Sequence, residues 1–432
     1  MLETLSPGAS GPVVQLLQKA LLQSGAYSLQ ADGIFGPYTK EAVHLFQSTW
    51  GLTPDGVVGP LTWKALWPSL LSTRIAPVLS GDTLFSVARR HGVTVSELLA
   101  ANPLITSPNT LIPGTPLTIP LPGSAVLSDI SYSSVVLAVG VEALRARYSF
   151  LNVGMLGLSV LGRAIPCLRF GRGPLAVVYN ASHHANEWIT TPLLMRFLER
   201  LCQTALHREN IGDADAAALY DRITLFIVPM VNPDGVDLVT GQLGPGSAGY
   251  QRAYAMRGSL PFPASWKANI RGVDLNNNYP ALWEQGRALK EQLGLDNPGP
   301  RDYVGPFPLS EPESALMAQL TKAVQPRLTI SLHTQGREIY WSFNDIFPPD
   351  GRRIGERMAA ASGYLLSDPS GPSFGGYKDW YIQEWNLPGY TVEAGSGVNP
   401  LPIGDFDEIY PEVEAILTIG LTAAARNDLA HG

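Results

Sequence analysis

Cysteine is almost missing from this chain of 432 residues: Cys167 and Cys202 are the only two, both in apolar contexts and without CxxC spacing. That excludes a disulfide scaffold and a thiolate metal site, and it predicts two buried thiols. Charge is sparse as well, with 16% charged residues, and 30 Lys and Arg against 37 Asp and Glu give a net charge of -7. No basic block stands anywhere, which argues against nucleic acid or an anionic membrane as the main partner. Long apolar runs are absent: residues 135–141 and 151–162 fall short of the ~18 needed for a membrane span. What the chain does have is 45% apolar content, enough to give a core to each of two to four domains of about 100–200 residues.

An internal repeat opens the chain. Asp32-Gly33-Ile34-Phe35-Gly36-Pro37-Tyr38-Thr39 returns as Asp55-Gly56-Val57-Val58-Gly59-Pro60-Leu61-Thr62. Each copy is a glycine-bearing turn next to a helical pattern. Val14, Leu16, Leu17, Ala20 and Leu21 precede the first, and Ala42, Val43, Leu45 and Phe46 link the two, so residues 1–70 read as a three-helix domain. Residues 74–122 read as a second, β-α-α-β domain. Ala76-Pro77-Val78-Leu79 opens it, Asp82 or Thr83 caps its first helix, and Leu117-Thr118-Ile119-Pro120 closes it. Residues 68–73 and 121–128 read as linkers. The first domain resembles the peptidoglycan-binding domain of bacterial wall hydrolases over residues 32–47 and 51–63, and the second resembles a LysM domain, a module that holds N-acetylglucosamine chains.

Residues 127–432 form the third domain, where short β-type runs alternate with helical ones, the pattern of an α/β sheet with helices on its faces. Three of these runs end in polar groups. His183-His184-Ala185-Asn186-Glu187 follows the strand at 175–179, His333 follows 328–332, and Glu393 follows 389–392. Open α/β sheets place their ligands at such strand ends. Two histidines and a carboxylate make a three-ligand zinc set with an open fourth position, and Glu393 is placed to act as base beside it. Read singly, His333 and Glu393 also suit a core histidine and a structural carboxylate.

Collinear motifs carry a further resemblance: His184-x-x-Glu187-Trp188, Asn232-Pro233-Asp234-Gly235, Gly272-Val273-Asp274-Leu275-Asn276, Ser310-Glu311-Pro312-Glu313, Ser331-Leu332-His333, Asp379-Trp380 and Thr391-Val392-Glu393. In this order they resemble the zinc carboxypeptidases, which implies a carboxypeptidase-like mixed sheet flanked by helices. It also implies one zinc ion on His184, Glu187 and His333, with Glu393 as general base. Arg271 is the expected oxyanion-stabilising cation, with Lys267 as the alternative. Asn276 and Asn277 fall where the family clamps a terminal carboxylate with an Asn-Arg pair, and the neutral Asn277 puts ordinary C-terminal trimming in doubt. Gly371 stands where the family carries a mobile tyrosine, so Tyr377 is the expected replacement. Lys378 occupies the position that sets pocket preference and suits an acidic group. His183 is expected to be structural, and Ser310-x-x-Glu313 a capping box.

Two wall-binding modules with this catalytic domain resemble the bacterial gamma-D-glutamyl-diamino acid endopeptidases, which cut peptidoglycan stem peptides. The expected partners are therefore glycan chains and stem peptides. A general zinc carboxypeptidase anchored to the wall, and a non-catalytic wall-binding or spore-coat protein, are the alternatives. Met1-Leu2-Glu3-Thr4 shows no positive n-region or apolar h-region, so no secretory signal is expected; a cytoplasmic or forespore enzyme and a wall enzyme exported by another route both fit.

Overall fold

The structure, a computed structural model, describes residues 2–25, 29–105, 111–367 and 373–426. They fall into two compact units, Met1–Asn152 and Val153–Gly432.

In the first unit, helices α1 (Pro12–Gln23), α2 (Pro37–Thr49) and α3 (Pro60–Leu70) form the expected three-helix domain, each starting at a proline whose missing N–H costs nothing there. The repeat has a physical purpose. Gln18 is buried, donates to Asp32 Oδ1 at 2.7 Å and Thr39 Oγ1 at 3.0 Å, and accepts from Gly33 N at 2.9 Å. Gln47 does the same in the second copy, to Asp55 Oδ1 at 2.9 Å and Thr62 Oγ1 at 3.1 Å and from Gly56 N at 3.0 Å. One buried carboxamide thus clamps each glycine turn onto the helix that follows it. The expected linker at 68–73 is not one: α3 runs on through Pro68 to Leu70, and the next strand begins at Thr73.

The β-α-α-β domain follows as strand β1 (Thr73–Pro77), helices α4 (Leu84–His91) and α5 (Val95–Ala101), and strand β2 (Pro116–Pro120), antiparallel to β1. Thr83 and Thr94 each make a capping box with the residue three places on. The opening strand starts three residues earlier than expected and ends at Pro77, and Val78 beyond it lies in the small core with Leu84, Val87 and Leu98. Helix α6 (Ser134–Arg147), from the stretch read as the third domain, packs against α1 and α5.

The second unit holds an eight-stranded sheet. Its strands are β3 (Asn152–Leu158), β4 (Ala164–Gly171), β5 (Leu175–Ala181), β8 (Ile223–Val228), β9 (Thr329–His333), β10 (Glu338–Tyr340), β11 (Leu365–Ser367) and β12 (Gly389–Glu393); β6 (Asn210–Ile211) and β7 (Ala214–Asp215) form a separate small hairpin. The order across the sheet is β11-β10-β12-β9-β5-β8-β4-β3. Strands β12, β9, β5 and β8 run parallel, whereas β4 pairs antiparallel with β8, and β10 pairs antiparallel with β12 but parallel with β11, so the sheet is mixed as expected. The helices of this unit are α7 (Thr190–His207), α8 (Ala216–Arg222), α9 (Pro233–Val239), α10 (Ala248–Met256), α11 (Trp283–Gln292), α12 (Pro312–Val324), α13 (Gly351–Ser362), α14 (Tyr377–Trp385) and α15 (Phe406–Ala424).

Successive strand residues point to opposite faces. Val178 packs with Tyr377 and Trp380 of α14, while the Tyr179 hydroxyl donates to Leu417 O of α15, so helices cover both faces. A sheet covered in this way must bury its central strands, and every residue of β9 is buried. Register sets what happens at the strand ends: Ala181 lies beside Leu332, and His333 beside Glu393.

Candidate active site

Beyond Ala181 the chain turns sharply. Ser182 takes a positive φ of 51°, its N–H donates to Thr190 Oγ1 at 3.0 Å, and its hydroxyl bonds Thr191 Oγ1 at 2.8 Å, which ties the turn to the start of α7. A single 3-10 turn, Ala185–Glu187, then brings His184 and Glu187 to the same side. Asn232 holds this loop in place by donating to His183 O at 3.2 Å and Ala268 O at 3.0 Å. Gly235 sits so close that an added Cβ would lie 2.7 Å from Ala185 Cβ and 2.8 Å from Ala268 O, which explains the glycine of the Asn-Pro-Asp-Gly motif.

The structure brings His184, Glu187 and His333 together. Glu187 Oε1 lies 2.9 Å from His184 Nδ1, Glu187 Oε2 lies 2.9 Å from His333 Nδ1, and the two Nδ1 atoms are 3.1 Å apart. All three side chains are buried, and their ligand atoms lie within 4.8 Å of one another, a group able to hold a metal ion. The chemistry of the set fits zinc: two imidazoles and one carboxylate. His184 Nε2 lies 3.2 Å from Asp274 Oδ1, so Asp274 accepts the proton on that nitrogen and leaves Nδ1 as the atom that faces the trio.

Electrostatics follow from this crowding. Burial opposes the charge on Glu187, but His184 and Lys267 outweigh it and hold the carboxyl well below the usual range. Burial likewise opposes a charged His184, and Glu187 with Asp274 overcomes it, raising the imidazole to about 9. Glu393 is pushed the other way, up to about 8, by burial first and by the Glu187 carboxylate second.

Other sequence expectations are redistributed. Lys267, the alternative cation, has its Nζ 3.6 Å from Glu187 Oε1, while the first choice, Arg271, turns outward with its side chain 48% exposed and its Nη1 3.5 Å from Glu311 Oε2. The cause is local. Asn269 Oδ1 accepts from Arg271 N and Val273 N, and Gly272 takes φ 79°, so the chain reverses just there and Arg271 leaves the site. Tyr377 does not enter the cleft either: it is fully buried, and its hydroxyl bonds Thr321 Oγ1 at 2.8 Å under the sheet. Position 371 lies outside the described residues. Ser310 and Glu313 form no capping box. Glu313 instead accepts from Val160 N at 3.1 Å and Asn269 Nδ2 at 3.3 Å, and Ser310 bonds Asn278 and Glu311. His183 is buried against the Tyr279 hydroxyl at 2.9 Å, a structural placement.

Beside the trio a cavity of about 490 Å³ is lined by Asn276, Asn277, Lys290, Tyr340, Lys378 and Glu393, among others. Asn276 Oδ1 accepts from Tyr377 N at 3.0 Å, and an added Cβ on Gly375 would lie 2.5 Å from Asn277 O, so the asparagine segment is pressed onto the start of α14. Lys378 lines the cavity but is buried, donating to Ser342 O and paired with Asp379 Oδ1, both at 2.5 Å. Three lining or supporting residues carried no expectation of their own: Asp274, Lys290 and Tyr340. Asp274 could have been found from the Gly-Val-Asp motif, and Lys290 from its spacing with Trp283 and Gly286 on one helix face; Tyr340 had no signal beyond its strand.

Comparisons with known proteins agree with this geometry. Residues 140–414 match the zinc carboxypeptidase family, residues 10–66 a peptidoglycan binding domain, and residues 78–120 a LysM domain. Gamma-D-glutamyl-L-diamino acid endopeptidase 1 of Lysinibacillus sphaericus is 42% identical over 67% of this chain and 72% of its own length. Among solved structures, thrombin activatable fibrinolysis inhibitor is similar with a TM-score of 0.55 at 18% identity, covering 70% of this chain and 77% of that one. Carboxypeptidase A from Helicoverpa armigera is similar with a TM-score of 0.51 at 18% identity, covering 80% and 86%. The fold, the convergent His-Glu-His group and the match over most of its length agree: this chain belongs to the zinc carboxypeptidase family.

Proposed function

We propose that this chain is a zinc peptidase of the bacterial cell wall that hydrolyses the bond between gamma-D-glutamate and diaminopimelate in peptidoglycan stem peptides. The observation that carries the reading is the cleft next to Glu393. It offers the carboxamide of Asn277 where a carboxypeptidase needs a guanidinium, so it lacks the bidentate grip for a chain-terminal carboxylate beside the scissile bond. The relative from Lysinibacillus sphaericus supports the same bond, and the two N-terminal modules support the same polymer.

His184, Glu187 and His333 would hold one zinc ion, which supplies Lewis acidity to the scissile carbonyl. Glu393 takes the proton of the attacking water and passes it to the departing amine. Burial and then the Glu187 carboxylate raise its carboxyl to about 8, so it holds a proton more firmly than a free carboxyl does until the amine takes it. Lys267 is the cation for the oxygen on which negative charge develops. Burial works against its ammonium, yet Glu187 and Asp274 hold it charged. Asp274 fixes the His184 ring, and Asn276 and Asn277 orient the substrate backbone.

Digestion of defined muropeptides, read by mass spectrometry, tests the proposal: fragments ending in D-glutamate and beginning with diaminopimelate are expected. Removal of single C-terminal residues from ordinary L-peptides, with muropeptides left intact, would replace it by a general carboxypeptidase. The two modules are proposed to hold the enzyme on glycan, because two tethered binders gain affinity through effective concentration. Competition by soluble glycan for sedimentation of the chain with insoluble wall measures that.

A further inference from the structure

We infer that Lys290 is the residue that reads the leaving amino acid, receiving a carboxylate at the far end of its side chain. This rests on the function proposed above. The sequence gives that task to Lys378, but the ammonium of Lys378 is already engaged: it is paired with Asp379 Oδ1 and donates to Ser342 O, and both side chains are almost fully buried. Asp379 is held in turn by Ser373 Oγ on its other oxygen at 2.5 Å. To the cavity this is a neutral pair, and a substrate carboxylate arriving there would have to displace Asp379.

Lys290 is the second cation among the described lining residues, and its surroundings differ. Trp283, Gly286 and Lys290 follow one another along a single face of α11, which forms a wall of the cavity. Gly286 sets that wall in place, because an added Cβ would lie 2.6 Å from Phe374 Cβ and push the helix off the segment that leads into α14. The Lys290 side chain keeps 20% of its surface exposed. Its partner Asp302 is shared: Oδ1 lies 2.9 Å from Lys290 Nζ, and Oδ2 lies 2.9 Å from Arg301 Nε. Among the described residues Lys290 therefore shares its ion-pair partner with a second cation, whereas Lys378 has Asp379 to itself.

The same cavity reaches Glu393. A leaving residue with its amine at Glu393 therefore directs its side chain along the cavity, and one ending in a carboxylate reaches a cation that shares its partner. That is the chemistry of a diamino dicarboxylic acid rather than of lysine.

The experiment compares two stem peptides, one with the distal carboxylate of diaminopimelate free and one with it amidated, using the full zinc-loaded chain. Wild type is expected to favour the free acid in kcat/KM by about tenfold to a hundredfold, the range for a hydrogen bond to a charged group. Lys290→Met should bring the two within about twofold by slowing the free acid alone, Lys290→Arg should keep the preference, and Lys378→Met should slow both peptides alike. Equal slowing of both peptides by Lys290→Met, or an unchanged preference in that variant, overturns the inference while leaving the proposed reaction standing. If wild type cuts neither peptide, the proposed reaction fails and the inference with it.

Discussion

Replacing Lys267 separates the site found in the structure from the one expected in the sequence. Its Nζ lies 3.6 Å from Glu187 Oε1, with 21% of the side chain exposed. At that separation two unit charges attract by about 4–5 kcal/mol for an effective dielectric near 20, so the ammonium is fixed at the trio before substrate arrives. A preorganised donor of this kind stabilises the developing oxyanion, and loss of one such donor costs about 10²–10³ in kcat, ~3–4 kcal/mol. Lys267→Met should therefore lower kcat by that factor with little change in KM, and Lys267→Arg should restore much of it. Zinc content should stay complete, because removing a cation beside His184, Glu187 and His333 favours a dication there. The corresponding change at Arg271, half-exposed and turned away from the trio toward Glu311 at 3.5 Å, should cost no more than a few-fold. The assay is steady-state hydrolysis of a soluble gamma-D-glutamyl-diaminopimelate peptide, with metal analysis of each variant. Turnover within fivefold of wild type in fully loaded Lys267→Met, or a greater loss from Arg271→Met, would refute the assignment.

Three further outcomes are expected. His333→Ala should lose its zinc after dialysis against a weak chelator; retention of a full equivalent removes His333 from the ligand set. Glu393→Gln should keep both zinc and the wild-type melting temperature while hydrolysis falls about 10²–10⁴-fold, since the amide cannot take a proton; near-normal turnover means that another base operates. Glu313 makes stability depend on pH. Burial raises its carboxyl from 4.5 to about 7, so folding favours the protonated form: its contribution is complete below pH 4.5 and is lost as pH rises through 7, by about 3 kcal/mol in all. Glu313→Gln should flatten that slope, and thermal melts of both proteins at pH 5 and pH 8 measure it; parallel changes in the two proteins contradict the account.

The His184, Glu187 and His333 group was readable because its residues stand at or just beyond the ends of β-type runs, and strand ends in an α/β sheet converge. The three-helix and β-α-α-β modules were readable from turn phrases with glycine at positions of positive φ, such as Gly33 and Gly56 at 76° and 73°. Side-chain direction was not readable. Arg271 and Lys267 lie four residues apart, and only the reversal made by Asn269 and Gly272 decides which of them faces Glu187. Tyr377 and Lys378 are neighbours at the start of a helix, where a step of about 100° sends the phenol into the core and the ammonium to the cavity wall. Pairing was hidden as well, since a lysine followed by an aspartate does not reveal that the two neutralise each other.

The three candidate ligands come from segments far apart in the chain: His184 and Glu187 stand in the turn after β5, and His333 ends β9. Glu187 and His333 are 146 residues apart, and they meet only when β5 and β9 pair in register. A one-residue slip of that pairing would point the histidine at the other face. A nascent chain that has not yet made its 329–333 segment can hold His184 and Glu187, but not the third ligand. The His-Glu-His group is therefore complete only when the central sheet is complete.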